Sequence, residues 1–358
     1  MEEKQQKIHW FVPVLIIIII AVACFYEWDL GAKINSSVTA DDVIGLSEIV
    51  NSQIDEGKDM GTFYISGISE EELTNINDYV CSVNGIVDKY VIHTKAGKKQ
   101  KITFHYEISD NYYVKEKYLN GTEIPEDRPL AHKLYDKTVE ILDEIIKPGM
   151  TDYEKELAIH DYIVSHCRYG QKDESKEYAF RAYGCLVQGV SVCNGYAEAM
   201  SLLLTCVGVE NCIMTGSAND VLHAWNAVCL DGEWYQVDAT WDDPIPDTGE
   251  FVSHTFFNIT DDDMDETHIW NEELFEECNG EFYNYYDYNG FVYEYSDIEQ
   301  VMVNEASRNI TGQFEFAVND YDANVYTYDF MSNIPGVLSI SHVVNQVGDR
   351  HIIIIELN

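Results

Sequence analysis

The chain has 358 residues, with 63 acidic side chains against 22 Lys and Arg, a formal net charge of −41. Apolar residues make up 46 % and charged residues 24 %, a globular composition that excludes wholesale disorder, collagen and coiled coil and allows two or three domains. So negative a surface repels nucleic-acid phosphates and anionic lipid headgroups, which argues against nucleic acid as a partner and against a polybasic membrane contact.

In chain order, the first feature is Trp10 to Tyr26, WFVPVLIIIIIAVACFY, seventeen residues without a charge. At about 1.5 Å per residue the run reaches roughly 25 Å, the short end of a membrane span. Trp10, Tyr26 and Trp28 stand where an aromatic belt would lie. Lys4 and Lys7 precede the run and Glu27 and Asp29 follow it, which favours an N-terminus inside and a body outside the cytoplasm. Residues 1–28 therefore read as a signal anchor. Two other export readings stay open: a signal peptide cleaved after Ala21-Val22-Ala23, and a lipoprotein signal ending at Cys24. All three put the body outside the cytoplasm, held at the cell surface by the anchor or the lipid and secreted if the signal is cleaved.

Residues 29–58 read as a tether. Residues 61–107 then repeat in outline at 312–358. A shift of 251 without a gap aligns Gly61 with Gly312, Phe63 with Phe314, Asp78 with Asp329, Gly85 with Gly336 and Gly97 with Gly348. Each copy reads as a strand, a helical stretch, a Gly turn and two strands. The expected organisation is a small α/β module at 59–125, a catalytic domain at 126–298 and a second small α/β module at 299–358.

The middle domain opens with a helix over Leu130–Ile146, ended by Pro148-Gly149. Thr151-Asp152-Tyr153-Glu154 is a capping box for a second helix to about Cys167. Gly189 to Val192 turn the chain into a third, Cys193 to about Val207, closed by Gly208. Strands follow from Cys212 to Trp241. Asp261-Asp262-Asp263 lacks an EF-hand pattern and reads as a solvated turn or helix cap. FYNYYDYNGFVYEY, Phe282–Tyr295, alternates aromatics about Asn289-Gly290 and reads as a hairpin. The nine cysteines show no C-x-x-C pair and no Cys/His zinc spacing. No cofactor and no metal site is expected, and most of the cysteines should be buried thiols.

Three residues carry the chemistry. Cys193 opens a predicted helix, where exposed N–H groups and the macrodipole favour an anion, and the thiolate is the nucleophilic form of a cysteine. The small Gly195 leaves room for a substrate to approach. His223 and Asp238 sit on strands joined by Asp231-Gly232, a two-residue hairpin signal. Pairing Leu230 with Glu233 sets Trp225 opposite Asp238 and His223 opposite Thr240. His223 and Asp238 are then diagonal neighbours on one face, with Cβ atoms roughly 7 Å apart or less, within reach of a hydrogen bond. A single bulge would spoil it. These are the parts of a cysteine acyl-transfer site: Cys193 attacks a carbonyl, His223 moves the proton, Asp238 holds the ring. The Cys193 N–H would be one oxyanion donor, with Gln188 or Tyr183 as candidates for the second. Each residue also has a bland alternative: a core thiol, a strand histidine, an aspartate capping a turn.

GVSVCNGYAEAMSLLL and NDVLHAWNAVCLDGEWYQVDATWDDP resemble the transglutaminase-like superfamily in its bacterial exported branch, over about Thr151 to His268. The resemblance implies an α+β fold with a papain-like core, a Cys-bearing helix against an antiparallel sheet, here flanked by the two small modules. It implies a Cys193–His223–Asp238 triad with Trp225 and Trp241 packed around it. The family includes transamidases, amidases and peptidases that share a thioester and differ in whether an amine or water attacks it, and nothing in the sequence selects between them. The leading expectation is an exported, membrane-tethered thiol enzyme acting on peptide or protein amides. The alternative is a surface binding or adhesion module whose triad is vestigial. A cell-wall amidase is a third reading, set against the repulsion between an acidic protein and anionic wall polymers.

Overall fold

The computed structural model describes residues 39–40, 60–65, 87–96, 99–170, 178–219, 221–243, 252–270, 272, 275–308, 312–319, 321 and 340–357. The expected membrane span at 10–26, most of the tether, and the helical stretch of each repeat lie outside these residues. No helix among the described residues is long and apolar enough to cross a membrane. The chain divides into two compact units, residues 1–77 with 88–107 and residues 78–87 with 108–358.

The first unit holds a four-stranded sheet of β1 (Thr39–Ala40), β2 (Met60–Ile65), β3 (Val87–Ala96) and β4 (Lys99–Glu107), in the order β1-β2-β4-β3. β1 is parallel to β2, pairing Thr39 with Tyr64, and β2 is antiparallel to β4. Two residues of the expected tether thus join a sheet.

The second unit opens with three helices whose ends follow from their sequence. α1 (Asp110–Asn120) starts where Ser109 Oγ accepts from Tyr112 N–H and stops at Gly121, φ 70°. α2 (Pro129–Ile145) has Pro at its first position, where a missing N–H costs nothing. α3 (Asp152–His166) has the reciprocal capping box of Thr151 and Glu154. After the short strand β5 (Arg168–Tyr169), residues 178–183 lead into a π-helical turn, Gly184–Gln188, and β6 (Val190–Ser191). α4 (Cys193–Cys206) follows directly, and Gly208 takes φ 81° beyond its end.

A five-stranded sheet then forms from β7 (Asn211–Ala218), β8 (Val221–Leu230), β9 (Glu233–Val237), β10 (Phe257–Ile259) and β11 (His268–Trp270), in the order β10-β9-β8-β7-β11, with every neighbouring pair antiparallel. Asp231 (φ 52°) and Gly232 (φ 88°) make the β8–β9 turn. β8 is covered on both faces. Val228 and Leu230 enter the main core with Leu134, Ile141, Ile163, Met200, Leu203 and Tyr235, while Trp225 and Ala227 enter a second cluster with Met214, Phe256, Ile259 and Met264. That burial on both sides is why VLHAWNAVCL lacks a clean polar–apolar alternation. Between β10 and β11, α5 (Asp261–Met264) is capped by Thr260, so the three aspartates fill a helix first turn.

The aromatic run is not a hairpin. It forms α6 (Tyr285–Asn289), started by Asn284 Oδ1 accepting from Tyr286 N–H and closed by Gly290 at φ 70°. The Asn-Gly pair ends a helix instead of turning two strands, because Tyr286 is buried against Ala317 and Ile352. β12 (Val292–Glu294) continues on as an edge strand parallel to β13 (Gly312–Asn319). α7 (Ile298–Arg308) buries Ile298 and Met302 against Phe316, Val318, Ile353 and Ile355. With β14 (Ile340–Val347) and β15 (Arg350–Leu357) the sheet runs β12-β13-β15-β14. Strand order and directions repeat those of the first unit's sheet. In both, the first strand pairs in parallel with a residue 25 positions further on, Thr39 with Tyr64 and Val292 with Ala317.

Candidate active site and its relatives

α4 begins abruptly after an extended Val192 that offers no side-chain cap. The first-turn N–H groups of such a helix are the ones an anion can use. Cys193, half-buried, is the first residue. The turn is held from below. Ser191 Oγ donates to Ala179 O (2.5 Å) and Val192 N–H donates to the same carbonyl (2.9 Å). Asn194 Nδ2 donates to Phe180 O (2.7 Å) and to Glu198 (3.2 Å). Glu198 also accepts from Ala182 N–H and Asn111 Nδ2, and burial raises its carboxyl to about 7 against those bonds. Gly195 does not open space for substrate. A Cβ there would lie 1.9 Å from Ser191 Oγ and 2.8 Å from Ala179 O, so the glycine lets α4 close onto the 179–181 backbone.

The hairpin register matches the expected one, with Leu230 opposite Glu233 and Asn226 opposite Val237. Asp238 then leaves the ladder, and its N–H donates to Phe256 O (3.0 Å). A register shift does occur in this sheet, but on β10 between Phe257 and Ile259, where Asn258 takes φ 56°. His223 Nε2 donates to Asp238 Oδ2 at 2.6 Å, and Cys193 lies near enough to the same imidazole to help raise its pKa. With Nε2 committed to the carboxylate, Nδ1 is the nitrogen left for the thiol. The other carboxylate oxygen, Oδ1, accepts from Thr240 and Trp241 N–H at 2.9 and 3.2 Å. Burial alone would lower the His223 pKa, but the Asp238 charge and bond, with the Cys193 contact, push it up to about 10. Burial would likewise raise Asp238, but His223 and His268 hold it well below the usual carboxylate range.

Trp225 and Trp241 line this pair. Trp225 stacks on His223 (5.8 Å, 19°) and donates Nε1–H to Gln236 (2.6 Å). Trp241 lies 6.2 Å from His223 and edge-on to Phe256. Of the two residues expected as oxyanion donors, Tyr183 is buried in the main core beside Tyr178, and Gln188 is exposed at the end of the π-helical turn.

His268 joins this site without any local signal in the sequence. Its Nε2 donates to Asp238 Oδ2 at 3.1 Å, and its ring lies 5.3 Å from His223 and 4.9 Å from Trp225. It sits on a three-residue edge strand, too short for any periodicity. Register explains its reach: His223 pairs with Gly216, and Gly216 with Trp270, so His268 shares their face two residues away. Gly216 keeps that face open, since a Cβ there would meet Ile269 O at 2.0 Å and Trp225 Cη2 at 3.1 Å. Among the described residues, two groups of His and Asp bring ligand atoms within 4.8 Å of one another: His223–Asp238–His268, and His160–Asp161–His254. All seven described cysteines are free thiols.

A family model for the transglutaminase-like superfamily matches residues 139–239, which span α4 and the β8–β9 hairpin with Asp238. The kyphoscoliosis peptidases of Homo sapiens and Mus musculus are each 28 % identical over 139 residues. The match covers 34 % of this chain and 21 % of each peptidase, so the chain corresponds to about a fifth of their length. A crystal structure of a TGase covers 60 % of this chain and 62 % of its own at 11 % identity and a TM-score of 0.27. With its matched segment containing the thiol helix and the histidine–aspartate hairpin, the chain carries a domain of the transglutaminase-like superfamily.

Proposed function

We propose that this protein is a thiol enzyme acting on peptide or protein amides, with Cys193 as nucleophile, His223 as general base and acid, and Asp238 as the carboxylate that orients the ring. His223 holds the thiol proton as imidazolium, and the Cys193 thiolate bonds to the amide carbonyl carbon. The C–N bond breaks as that proton passes to the leaving amine, and a thioester remains. Water or a second amine then attacks the thioester and regenerates the thiol. The N–H groups opening α4 serve the oxyanion, starting with that of Cys193. Export and tethering through residues 10–26 belong to the same reading, with the catalytic body at the cell surface.

The observation that carries the reading is the 2.6 Å His223–Asp238 bond, with Cys193 at the start of α4 acting on the same imidazole. A vestigial adhesion module has no need of an imidazole poised between a thiol and a carboxylate. The test is alkylation of Cys193 by iodoacetamide at pH 7, followed by peptide mass spectrometry. The expected result is at least a tenfold slower reaction in His223→Ala (about 1.4 kcal/mol in the barrier). Equal rates in wild type and variant would overturn the assignment. Incubation with glutamine peptides, with and without an added amine, then separates transfer from hydrolysis.

A further inference from the structure

The second histidine–carboxylate group is built differently from the first. His160 lies on α3 and is fully buried, and Asp161 follows it with its side chain 42 % exposed. His254 lies just before β10 and is also buried. Two ring nitrogens converge on one oxygen: His160 Nδ1 is 3.2 Å and His254 Nε2 is 2.9 Å from Asp161 Oδ1. Each ring's far nitrogen meets a different buried carboxylate. His160 Nε2 is 3.1 Å from Asp242 Oδ2, and His254 Nδ1 is 2.5 Å from Glu315 Oε1. Tyr285 stacks on His254 at 3.7 Å and 5°, and Phe257 stands edge-on to both rings.

We propose that His160 Nδ1, His254 Nε2 and Asp161 Oδ1 form a binding site for a divalent transition metal, best met by Zn²⁺, with Asp242 and Glu315 as the carboxylates that orient the two imidazoles. Three observations carry it. First, the set is two imidazoles and one carboxylate, which suits Zn²⁺ better than the all-oxygen sets of Ca²⁺ and Mg²⁺. Second, a metal-ligating histidine usually donates its other N–H to a carboxylate, which fixes the tautomer and leaves the inner nitrogen a lone pair; both histidines here have that partner. Third, the spacing fits. Ligands about 2.1 Å from a metal are separated by roughly 3.0 Å at octahedral and 3.4 Å at tetrahedral angles, and the two measured separations fall at that scale. The exposed side of Asp161 leaves solvent to complete the coordination.

The other group does not meet the second condition. His268 Nδ1 faces the Thr267 hydroxyl, and the free nitrogen of His223 faces a thiol. Its two Nε2 atoms donate to Asp238, whose role there is to hold a base.

A bound ion would fasten α3 to the segment before β10. Through the outer carboxylates it would also draw in β13, which bears Glu315, and the loop 238–243, which bears both Asp242 and Asp238. The site is assigned without reference to the thiol chemistry, and its test keeps the two apart. Full-length protein carrying Cys193→Ala, which removes the thiol as a competing ligand, is stripped with a chelator and dialysed against micromolar Zn²⁺. Metal is counted by elemental analysis, and Co²⁺ is used as a spectroscopic probe. The expected result is one Zn²⁺ per chain, lost in His254→Gln and in Asp161→Asn, with a Co²⁺ spectrum of nitrogen and oxygen ligation. Asp161→Asn changes a partly exposed side chain without changing its shape, so circular dichroism can verify that it folds. Glu315→Gln should weaken binding about 10- to 100-fold. No stoichiometric Zn²⁺ in folded protein, or binding unchanged in both ligand variants, overturns the proposal. Either result leaves Cys193 alkylation as a separate measurement on the unsubstituted chain.

Discussion

The two histidine–carboxylate clusters use the same kinds of side chain and each set two imidazoles on one aspartate oxygen, yet the far nitrogens of their rings meet different partners. Around Asp238 a single buried carboxylate stands between two imidazoles, and one of those rings keeps a nitrogen for the Cys193 thiol. Around Asp161 two imidazoles stand between carboxylates, and every ring nitrogen faces an acid oxygen. The first arrangement leaves a basic nitrogen beside a nucleophile. The second backs each of its two inward nitrogens with a carboxylate on the far side of the ring, which suits an ion. Residue identity does not separate these outcomes; the partner of each ring's far nitrogen does. The link between them is Asp238 to Asp243. Asp238 O accepts from Asp242 N–H (3.1 Å), Asp242 Oδ1 accepts from Phe256 N–H (2.9 Å), and Asp243 accepts from the Tyr196 hydroxyl (2.5 Å).

Substitutions at the two aspartates should break the comparison most sharply. Asp238→Asn preserves shape but disfavours the Nε2–H donor that orients His223. We expect thioester formation in a single turnover, read by mass spectrometry, to fall about 10³- to 10⁴-fold with the fold intact. Comparable loss in Asp242→Asn would mean that the clusters are not functionally distinct. Next in size is Trp225→Ala. The indole is 1 % exposed, stacks on His223 and donates to Gln236. Its removal should cost about 3–5 kcal/mol in a denaturant titration, and a cost under 1 kcal/mol would show that the wall behind the imidazole is not rigid.

The pH dependence gives the third effect. The His223 pKa is raised to about 10 from an ordinary 6.5. Its contribution to stability is therefore full below about pH 6.5 and lost as pH rises through 10. His223→Gln should flatten that window by roughly 2–4 kcal/mol relative to wild type, seen as a shrinking difference in midpoint between the two proteins at rising pH. Identical pH slopes would contradict the assigned pair. The smallest effect is expected of Asp242→Asn itself. Loss of a buried charged partner of His160 should destabilise by about 1–3 kcal/mol while Cys193 alkylation stays within threefold of wild type.

The legible part of the site was the part encoded locally. Cys193 at a helix start follows from Gly189 before it and the apolar spacing after it. The His223–Asp238 contact follows from a two-residue turn, because side-chain period 2 makes register a matter of counting, and the register shift that could have spoiled the count fell on β10 instead. Local rules misled where tertiary burial outranked them. Asn289-Gly290 has the signature of a hairpin, yet burial of Tyr286 made it a helix end. Locally Gly195 looks like space for a ligand, whereas the 179–181 backbone fills that space.

By itself the sequence determined the helices at 130–146, 151–167 and 193–207 to within a residue or two, the hairpin register and the thiol–imidazole–carboxylate order, because caps, turns and alternation act over a few residues. Only the tertiary structure brought His268 across β7 to Asp238, set His254 beside an α3 residue 94 positions earlier in the chain, His160, and delivered Glu315 from the C-terminal sheet. Those meetings depend on which faces are buried against which, and a side chain carries no local mark of the partner that packing will bring to it.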